Sequence, residues 1–166
     1  MSAAGVAARA RRRAFLVAAG GALAVALAGG LLTDLGPWYQ QLRVPPWKPP
    51  DWAFGPIWTV IFACAALAGL RAWDAAVAPG YRARLLALFA VNGGLNILWS
   101  VLFFRLHRPD WALGEVTALW LSVAGLVAMT AVRSRSAALL LVPYLAWVSI
   151  AARLNLEIAR LNPPGP

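Results

Sequence analysis

Five apolar segments without a charged residue dominate the sequence and restrict what the chain can fold into. They are Ala14–Thr33, Trp52–Leu70, Leu85–Phe104, Val116–Val132 and Ser136–Ala152. A helix needs about 17–25 mostly apolar residues to cross the hydrocarbon core of a bilayer, and every segment reaches that length. With 61% hydrophobic and 13% charged residues, the chain has too little polar surface for a soluble domain. The sequence therefore predicts an all-α membrane protein, a bundle of five transmembrane helices.

The ends of these segments and the turn residues between them divide the chain into one domain with a tail at each end. The predicted helices span residues 14–35, 54–73, 83–104, 111–132 and 137–158. We expect a basic N-terminal tail at 1–13, a transmembrane domain at 14–158 and a C-terminal tail at 159–166. The long connection at 36–53 is predicted to act as a lid.

The net charge of +9 comes mainly from arginines near the ends of the predicted helices. This is where membrane proteins keep their charges, so we expect a lipid bilayer and no nucleic acid as partner. Nine basic residues fall on the N-terminal side and six on the side of the 36–53 loop, which predicts a cytoplasmic N-terminus. The run Arg11–Arg13 is also typical of a cleaved export signal, an alternative that the length of the following apolar segment disfavours.

Aromatic and amide side chains recur at helical spacing, which places them on single faces of three predicted helices. The stripes are Phe54, Trp58 and Phe62 on the second helix, Asn92, Asn96, Trp99 and Phe103 on the third, and Trp147, Ala151 and Asn155 on the fifth. If these faces turn inward, they enclose a ring-lined cavity in the loop-side half of the membrane. Favourable ring pairs contribute about 0.5–1.5 kcal/mol beyond area burial, so such a cavity suits a large flat ligand.

Other uses of the same residues remain open from the sequence. Tryptophans also anchor helices at membrane interfaces, and buried asparagines commonly form hydrogen bonds between helices. Glu115, the acidic residue inside a predicted span, either has a functional role or complements the dipole at a helix N-terminus. Ala90 and Gly94 form a small-residue step that could join two copies of the third helix in a homodimer.

The residue types needed for most catalytic chemistry are scarce. The sequence has one histidine, His107, in a predicted turn, and one cysteine, Cys64, in mid-span. No arrangement of nucleophile and base or pair of carboxylates is placed for acid–base catalysis. We therefore expect no metal site and no required cofactor.

Three blocks of the sequence are similar to the TspO/MBR family, also known as the tryptophan-rich sensory protein, translocator protein or peripheral-type benzodiazepine receptor family. The first runs from Trp38-Tyr39 through Trp47 to Phe54-Gly55-Pro56 and Trp58. The second is Asn96 to Ser100 with Phe103-Phe104, and the third is Pro143 to Trp147 with Ala151 and Asn155. Together the blocks cover nearly the whole chain beyond the first helix.

The resemblance implies a five-helix bundle, commonly a homodimer, that binds porphyrins such as protoporphyrin IX in a bacterial cell membrane. It supplies ligand-binding roles for Trp58, Asn96, Trp99, Trp111, Trp147 and Ala151. The lid and the first stripe add Trp38, Trp47, Phe54 and Phe62 as candidate ligand-binding residues. The function that we expect first is that of a membrane receptor or carrier. It would bind porphyrins and act in tetrapyrrole-linked stress sensing or in transport.

Two alternatives accompany this reading. The protein could degrade porphyrin in a light- and oxygen-dependent reaction that uses Trp58 and Trp147, or it could be a membrane scaffold whose rings only pack. The sequence also departs from the family pattern, with Val101 and Arg105 in place of the usual proline and glycine around Phe103-Phe104. The segment Leu154–Arg160 has no aromatic residue where a sterol motif needs a tyrosine, which argues against sterol binding.

Overall fold

A computed structural model of the chain describes residues 3–76 and 78–163, whose regular elements are all helical. The elements are α1 (Ala3–Leu32), α2 (Pro37–Gln41), α3 (Asp51–Asp74), α4 (Pro79–Ser100), a π-helix (Val101–Arg105), α5 (Pro109–Ala131) and α6 (Arg135–Leu161). Five helical spans are long and apolar enough to cross a membrane, with mean hydropathies of 1.7 to 2.2. The predicted all-α fold with five transmembrane helices is confirmed.

The five long helices form a closed ring in which each packs against two principal neighbours. The order around the ring is α1, α3, α6, α5 and α4, so α3 lies beside α6 although they are distant in sequence. The main apolar core includes Ile61, Leu119 and Tyr144, and a smaller cluster around Phe103 and Phe104 lies towards the 36–53 loop. This ring brings the predicted aromatic faces of three helices towards a common interior.

The first helix begins earlier than the sequence predicted. It starts at Ala3 rather than at residue 14, so most of the predicted basic tail at 1–13 is helical. Alanine and arginine are both strong helix formers, which explains why the helix continues through Arg11–Arg13. At 1.5 Å per residue, its 30 residues extend about 45 Å, well beyond a hydrocarbon core of about 30 Å.

The predicted loop at 36–53 is partly helical, and the neighbouring boundaries shift with it. Residues Pro37–Gln41 form α2, and α3 begins at Asp51 rather than at residue 54. The next two helices begin at Pro79 and Pro109, earlier than the predicted residues 83 and 111. Proline suits the first turn of a helix because its φ angle is already helical and its missing N–H would have no partner there.

The third span ends in a π-helix where the sequence predicted a regular helix up to residue 104. The Leu106 amide donates to the Val101 carbonyl across this wider turn, at 2.9 Å. His107 then closes the segment with a left-handed backbone, at a φ of 54°. Phe103 and Phe104 are both buried within this π-helix and form the centre of the smaller apolar cluster.

The Val25 side chain on α1 packs closely against Gly93 on α4. A Cβ atom on Gly93 would meet the Val25 Cγ2 atom at 2.9 Å, whereas one on the next residue, Gly94, would meet nothing within 4 Å. Gly94 and Ala90 lie on the exposed face of α4. The homodimer expected through this face remains a prediction.

We predict that Gly93→Ala lowers the stability of the bundle by about 1–3 kcal/mol relative to Gly94→Ala, because its methyl group overpacks the contact with Val25. Both variants gain the same helix propensity, so Gly94→Ala is the matched control. The measurement is the unfolding midpoint of the purified protein in detergent. Adding Val25→Ala should recover most of the loss, and equal midpoints for the two single variants would contradict the close contact.

Candidate ligand-binding site

Aromatic rings from α3 and α6 meet in the interior of the bundle. The Phe54 ring lies edge-on to Trp147 with their centroids 5.5 Å apart, and Trp58 lies edge-on to Tyr144 at 5.9 Å. Trp58 also stacks on Phe62, one turn along the same helix, at 5.2 Å. Phe54 and Trp58 are partly buried against the main core, of which Trp147 is a member. The stripe predicted on the second span therefore faces the stripe on the fifth.

A hydrogen-bonded group of buried polar side chains crosses the middle of the bundle. The Asn92 amide donates to Ser122 Oγ at 2.9 Å, and the Tyr144 hydroxyl donates to Asn92 Oδ1 at 3.1 Å. Asn96 donates to the same hydroxyl at 3.4 Å. We call these four residues the central layer; it joins α4, α5 and α6. The two asparagines thus take the interhelical role that the sequence left open.

A second polar group lies nearer the 36–53 loop. Trp99 Nε1 donates to Asn155 Oδ1 at 2.9 Å, and Asn155 Nδ2 donates to the Pro109 carbonyl at 2.7 Å. The Trp99 ring also stacks on Phe103, with centroids 5.1 Å apart. We call Trp99, Asn155 and Pro109 the loop-side layer. It fixes the depth of α4, α5 and α6 relative to one another.

The predicted lid is fastened over this end of the bundle by side chains at both of its ends. Trp38 stacks on His107 with centroids 4.2 Å apart, and Trp47 Nε1 donates to Glu157 at 2.9 Å. The backbone of Arg43 exchanges two hydrogen bonds with the Asn162 side chain, each 2.9 Å long. The lid therefore contacts both the π-helix region and the C-terminal end of α6.

Polar contacts also hold the lid to the start of α3. The Tyr39 hydroxyl donates to Asp51 at 2.6 Å, and Lys48 pairs with the same carboxylate. Burial, followed by this hydrogen bond, raises the pKa of Tyr39 above the usual range of a phenol, so the hydroxyl stays a donor at physiological pH. Arg153 forms an ion pair with Glu157 at 2.7 Å, beside the Trp47 contact.

Two adjoining grooves open on the outer side of α6. The larger, about 520 Å³, runs between α3 and α6 and is lined by Pro56, Ile57, Val60, Ile61, Pro143, Ala146, Trp147 and Ile150. The smaller, about 370 Å³, is lined by Trp47, Ser149, Ile150 and Arg153 beneath the lid. Ile150 lines both grooves, so the larger, apolar groove adjoins the smaller one, which contains the Arg153 guanidinium. The sequence predicted an interior cavity and did not indicate this opening between helices.

Two predicted site residues lie apart from the interior rings. Trp111 is 54% exposed, with the Arg108 guanidinium 4.2 Å from its ring centroid. Ala151 is half-buried on α6, one turn beyond Trp147. Trp111 therefore lies at the surface in the first turn of α5, where its ring packs against Arg108, and its ligand-binding role stays a prediction.

Two buried polar side chains between the layers have no hydrogen-bond partner among the described residues. They are Trp147, through Nε1, and Glu115, through both carboxyl oxygens. Both residues are 9% exposed. Glu115 is the seventh residue of α5, past the first turn where the helix dipole acts most strongly, so a dipole role accounts poorly for it. Tyr144, which the sequence analysis did not select, lies three residues before Trp147 on the same face.

Comparison with known proteins agrees with the resemblance seen in the sequence. The family model for the TspO/MBR family matches residues 15–161. The chain is 38% identical over 143 residues to the tryptophan-rich protein TspO of Chlorobaculum tepidum, covering 85% of this chain and 90% of that one. It is 37% identical over 148 residues to the tryptophan-rich sensory protein of Cereibacter sphaeroides, covering 89% of each.

A mammalian protein is similar as well. The chain is 33% identical over 136 residues to the translocator protein of Homo sapiens, covering 75% of each chain. The region that the family model matches, residues 15–161, includes the ring-bearing helices and the lid. Together with the five apolar helices, these matches identify an integral, multi-pass membrane protein. The chain belongs to the TspO/MBR family.

Proposed function

We propose that this protein is a membrane receptor or carrier that binds a porphyrin, such as protoporphyrin IX, against the rings of α3 and α6. Membership of a family that includes sensory and translocator proteins supports a membrane receptor or sensor role. The observation that carries the porphyrin proposal is the apolar groove between α3 and α6, whose lining includes Trp147. The Nε1 atom of this indole is buried and has no hydrogen-bond partner among the described residues.

The size and lining of the groove suit a flat macrocycle. Its volume of about 520 Å³ lies within the range of about 300–1,000 Å³ that is common for small-molecule sites. Every residue of its lining is apolar or aromatic, and Trp147 in that lining contacts the Phe54 ring edge-on. Burial of a ring system against such a wall is favourable without any ionic contact.

The adjoining smaller groove, in contrast to the apolar one, carries a positive charge. Arg153 lines it, and the Arg153 side chain is 69% exposed even though one of its nitrogens pairs with Glu157. A guanidinium has five N–H donors, so donors remain for a further carboxylate. A porphyrin with apolar edges and two propionate groups would thus place its ring between the helices and its carboxylates beneath the lid.

We predict that Trp147→Phe weakens protoporphyrin IX binding about fivefold to tenfold, because the variant keeps a ring and loses the N–H donor. The measurement is quenching of tryptophan fluorescence in a porphyrin titration of the purified protein in detergent. Trp73→Phe, at the far end of α3, is the control and should bind like the unsubstituted protein. Unchanged affinity in Trp147→Phe would count against the site.

The contact between Trp47 and Glu157 suggests a second test, directed at the lid. Trp47→Phe keeps an aromatic ring and removes the hydrogen bond to Glu157, which lies at the surface. We therefore expect bound porphyrin to dissociate faster, by about twofold to fivefold, as measured by stopped-flow fluorescence after mixing with excess apomyoglobin. Trp52→Phe, whose ring is 76% exposed on the same side, is the control. Equal dissociation rates in all three proteins would show that this part of the lid does not retain the ligand.

A further inference from the structure

The two ends of the bundle differ in how their charges are paired. At the end that carries the 36–53 loop, the acidic residues each form an ion pair with a neighbouring lysine or arginine; they are Asp34, Asp51, Asp110 and Glu157. The opposite end has nine arginines and one acidic residue, Asp74, whose Oδ2 lies 3.6 Å from Arg11 Nε. We call this the basic end. Its arginines lie in the first half of α1, near the end of α3, at the start of α4 and around the turn between α5 and α6.

The first helix presents a set of arginines that its one acidic neighbour does not engage. The ion pair with Asp74 directs Arg11 towards the end of α3. Around the helix, Arg12 and Arg13 follow at about 100° and 200° from Arg11, and Arg9 falls between them at about 160°. All three side chains are exposed, and they share the side of α1 that faces away from Arg11. We call Arg9, Arg12 and Arg13 the arginine face of α1.

The neighbouring helix α4 brings further arginines to the same level. Arg82 and Arg84 lie in its first two turns. The Arg82 guanidinium lies over the Trp73 ring, 4.9 Å from the centroid, and donates to the Trp73 carbonyl at 3.4 Å. Since Trp73 directly precedes Asp74, Arg11 and Arg82 meet the same turn of α3. These contacts position Arg82 without neutralising its charge, and its buried Nε has no partner among the described residues.

The surface of α1 becomes apolar immediately after the arginine face. Phe15, Leu16 and Val17 are 55%, 57% and 58% exposed, and no described side chain of α1 is buried. A band of cations beside an exposed apolar surface matches a phospholipid, whose phosphate meets the arginines while its acyl chains cover the apolar side chains. A soluble anion would engage the arginines alone. The continuity of the two surfaces therefore favours a lipid as the occupant.

We propose that the basic end is a binding surface for anionic phospholipids, whose phosphate groups are held by the arginine face of α1 together with Arg82 and Arg84. A guanidinium is always charged and forms two parallel hydrogen bonds with one phosphate. Clusters of arginines beside a membrane span attract lipids whose headgroup has a net negative charge. A zwitterionic lipid has the same phosphate and a compensating ammonium, so it binds less tightly. This inference is independent of the proposed function.

The test compares two lipids that differ in headgroup charge. The full chain is reconstituted in phosphatidylcholine bilayers that contain a small fraction of spin-labelled phosphatidylglycerol or spin-labelled phosphatidylcholine. Electron paramagnetic resonance then measures the fraction of each label that the protein immobilises. The unsubstituted protein should prefer phosphatidylglycerol about threefold to fivefold. Raising sodium chloride to about 0.5 M should reduce this preference, because salt screens exposed charges.

Double variants locate the surface. Arg12→Gln/Arg13→Gln should lose at least half of the preference, and Arg12→Lys/Arg13→Lys, which keeps the charge without the planar fork, should keep more of it. The matched control is Arg43→Gln/Arg160→Gln, which removes the same charge from two exposed arginines at the loop end and should retain the preference. Because all four positions are exposed, each variant should unfold in detergent at the same temperature as the unsubstituted protein.

Three results overturn the inference. Equal association of the two lipids with the unsubstituted protein shows that the basic end does not select lipids by charge. An equal loss of preference in the loop-end control shows that the total charge of the protein, and not this surface, attracts the lipid. Loss of the preference when inorganic phosphate replaces chloride at matched ionic strength shows that the arginines bind soluble phosphate instead. If Arg12→Gln/Arg13→Gln fails to insert, the two single variants decide the question, each with part of the loss.

Discussion

Polar side chains inside this bundle must find partners within the protein, because a bilayer supplies none. The central layer meets that constraint by joining Asn92, Ser122 and Tyr144 across three helices, and the loop-side layer does so through Asn155. Each layer fixes how far one helix can slide along another. The alignment of rings between α3 and α6, and the groove beside them, both depend on this fixed register.

Much of the architecture could be predicted because the membrane simplifies the rules. The length of each apolar segment determines the number of spans, and the spacing of Phe54, Trp58 and Phe62 determines which face of α3 turns inward. Periodicity does not specify which helices become neighbours. The contact between α3 and α6 arises from closure of the ring and is not visible in the spacing of either helix.

The features that the sequence does not specify have local physical causes. The resemblance names Trp111 as a ligand-binding residue, but only the structure shows that its ring lies at the surface, where the Arg108 guanidinium packs against it. Helix starts were placed late because proline was treated as a boundary rather than as a first-turn residue. The sequence places Glu115 inside a span, and the start of α5 at Pro109 shows that it lies beyond the first turn of the helix.

The lid illustrates how a stiff segment can be held without a core of its own. Its prolines restrict the backbone of the free chain, which reduces the entropy lost when the segment is ordered. Its attachments are then few and specific, through Trp38, Trp47 and the backbone of Arg43. Trp38, Tyr39 and Leu42 also pack against the cluster around Phe103 and Phe104, so apolar contacts as well as hydrogen bonds hold the lid to the helices.

The π-helix at Val101–Arg105 has a consequence for how this family can change over time. Its wide turn accommodates one more residue than a regular helix would, and that residue sets the direction of everything up to Trp111. Deletion of any single amino acid there would restore ordinary winding yet rotate the following segment by about 100°. We therefore expect the length of this stretch to tolerate less variation among descendants than the identity of its side chains.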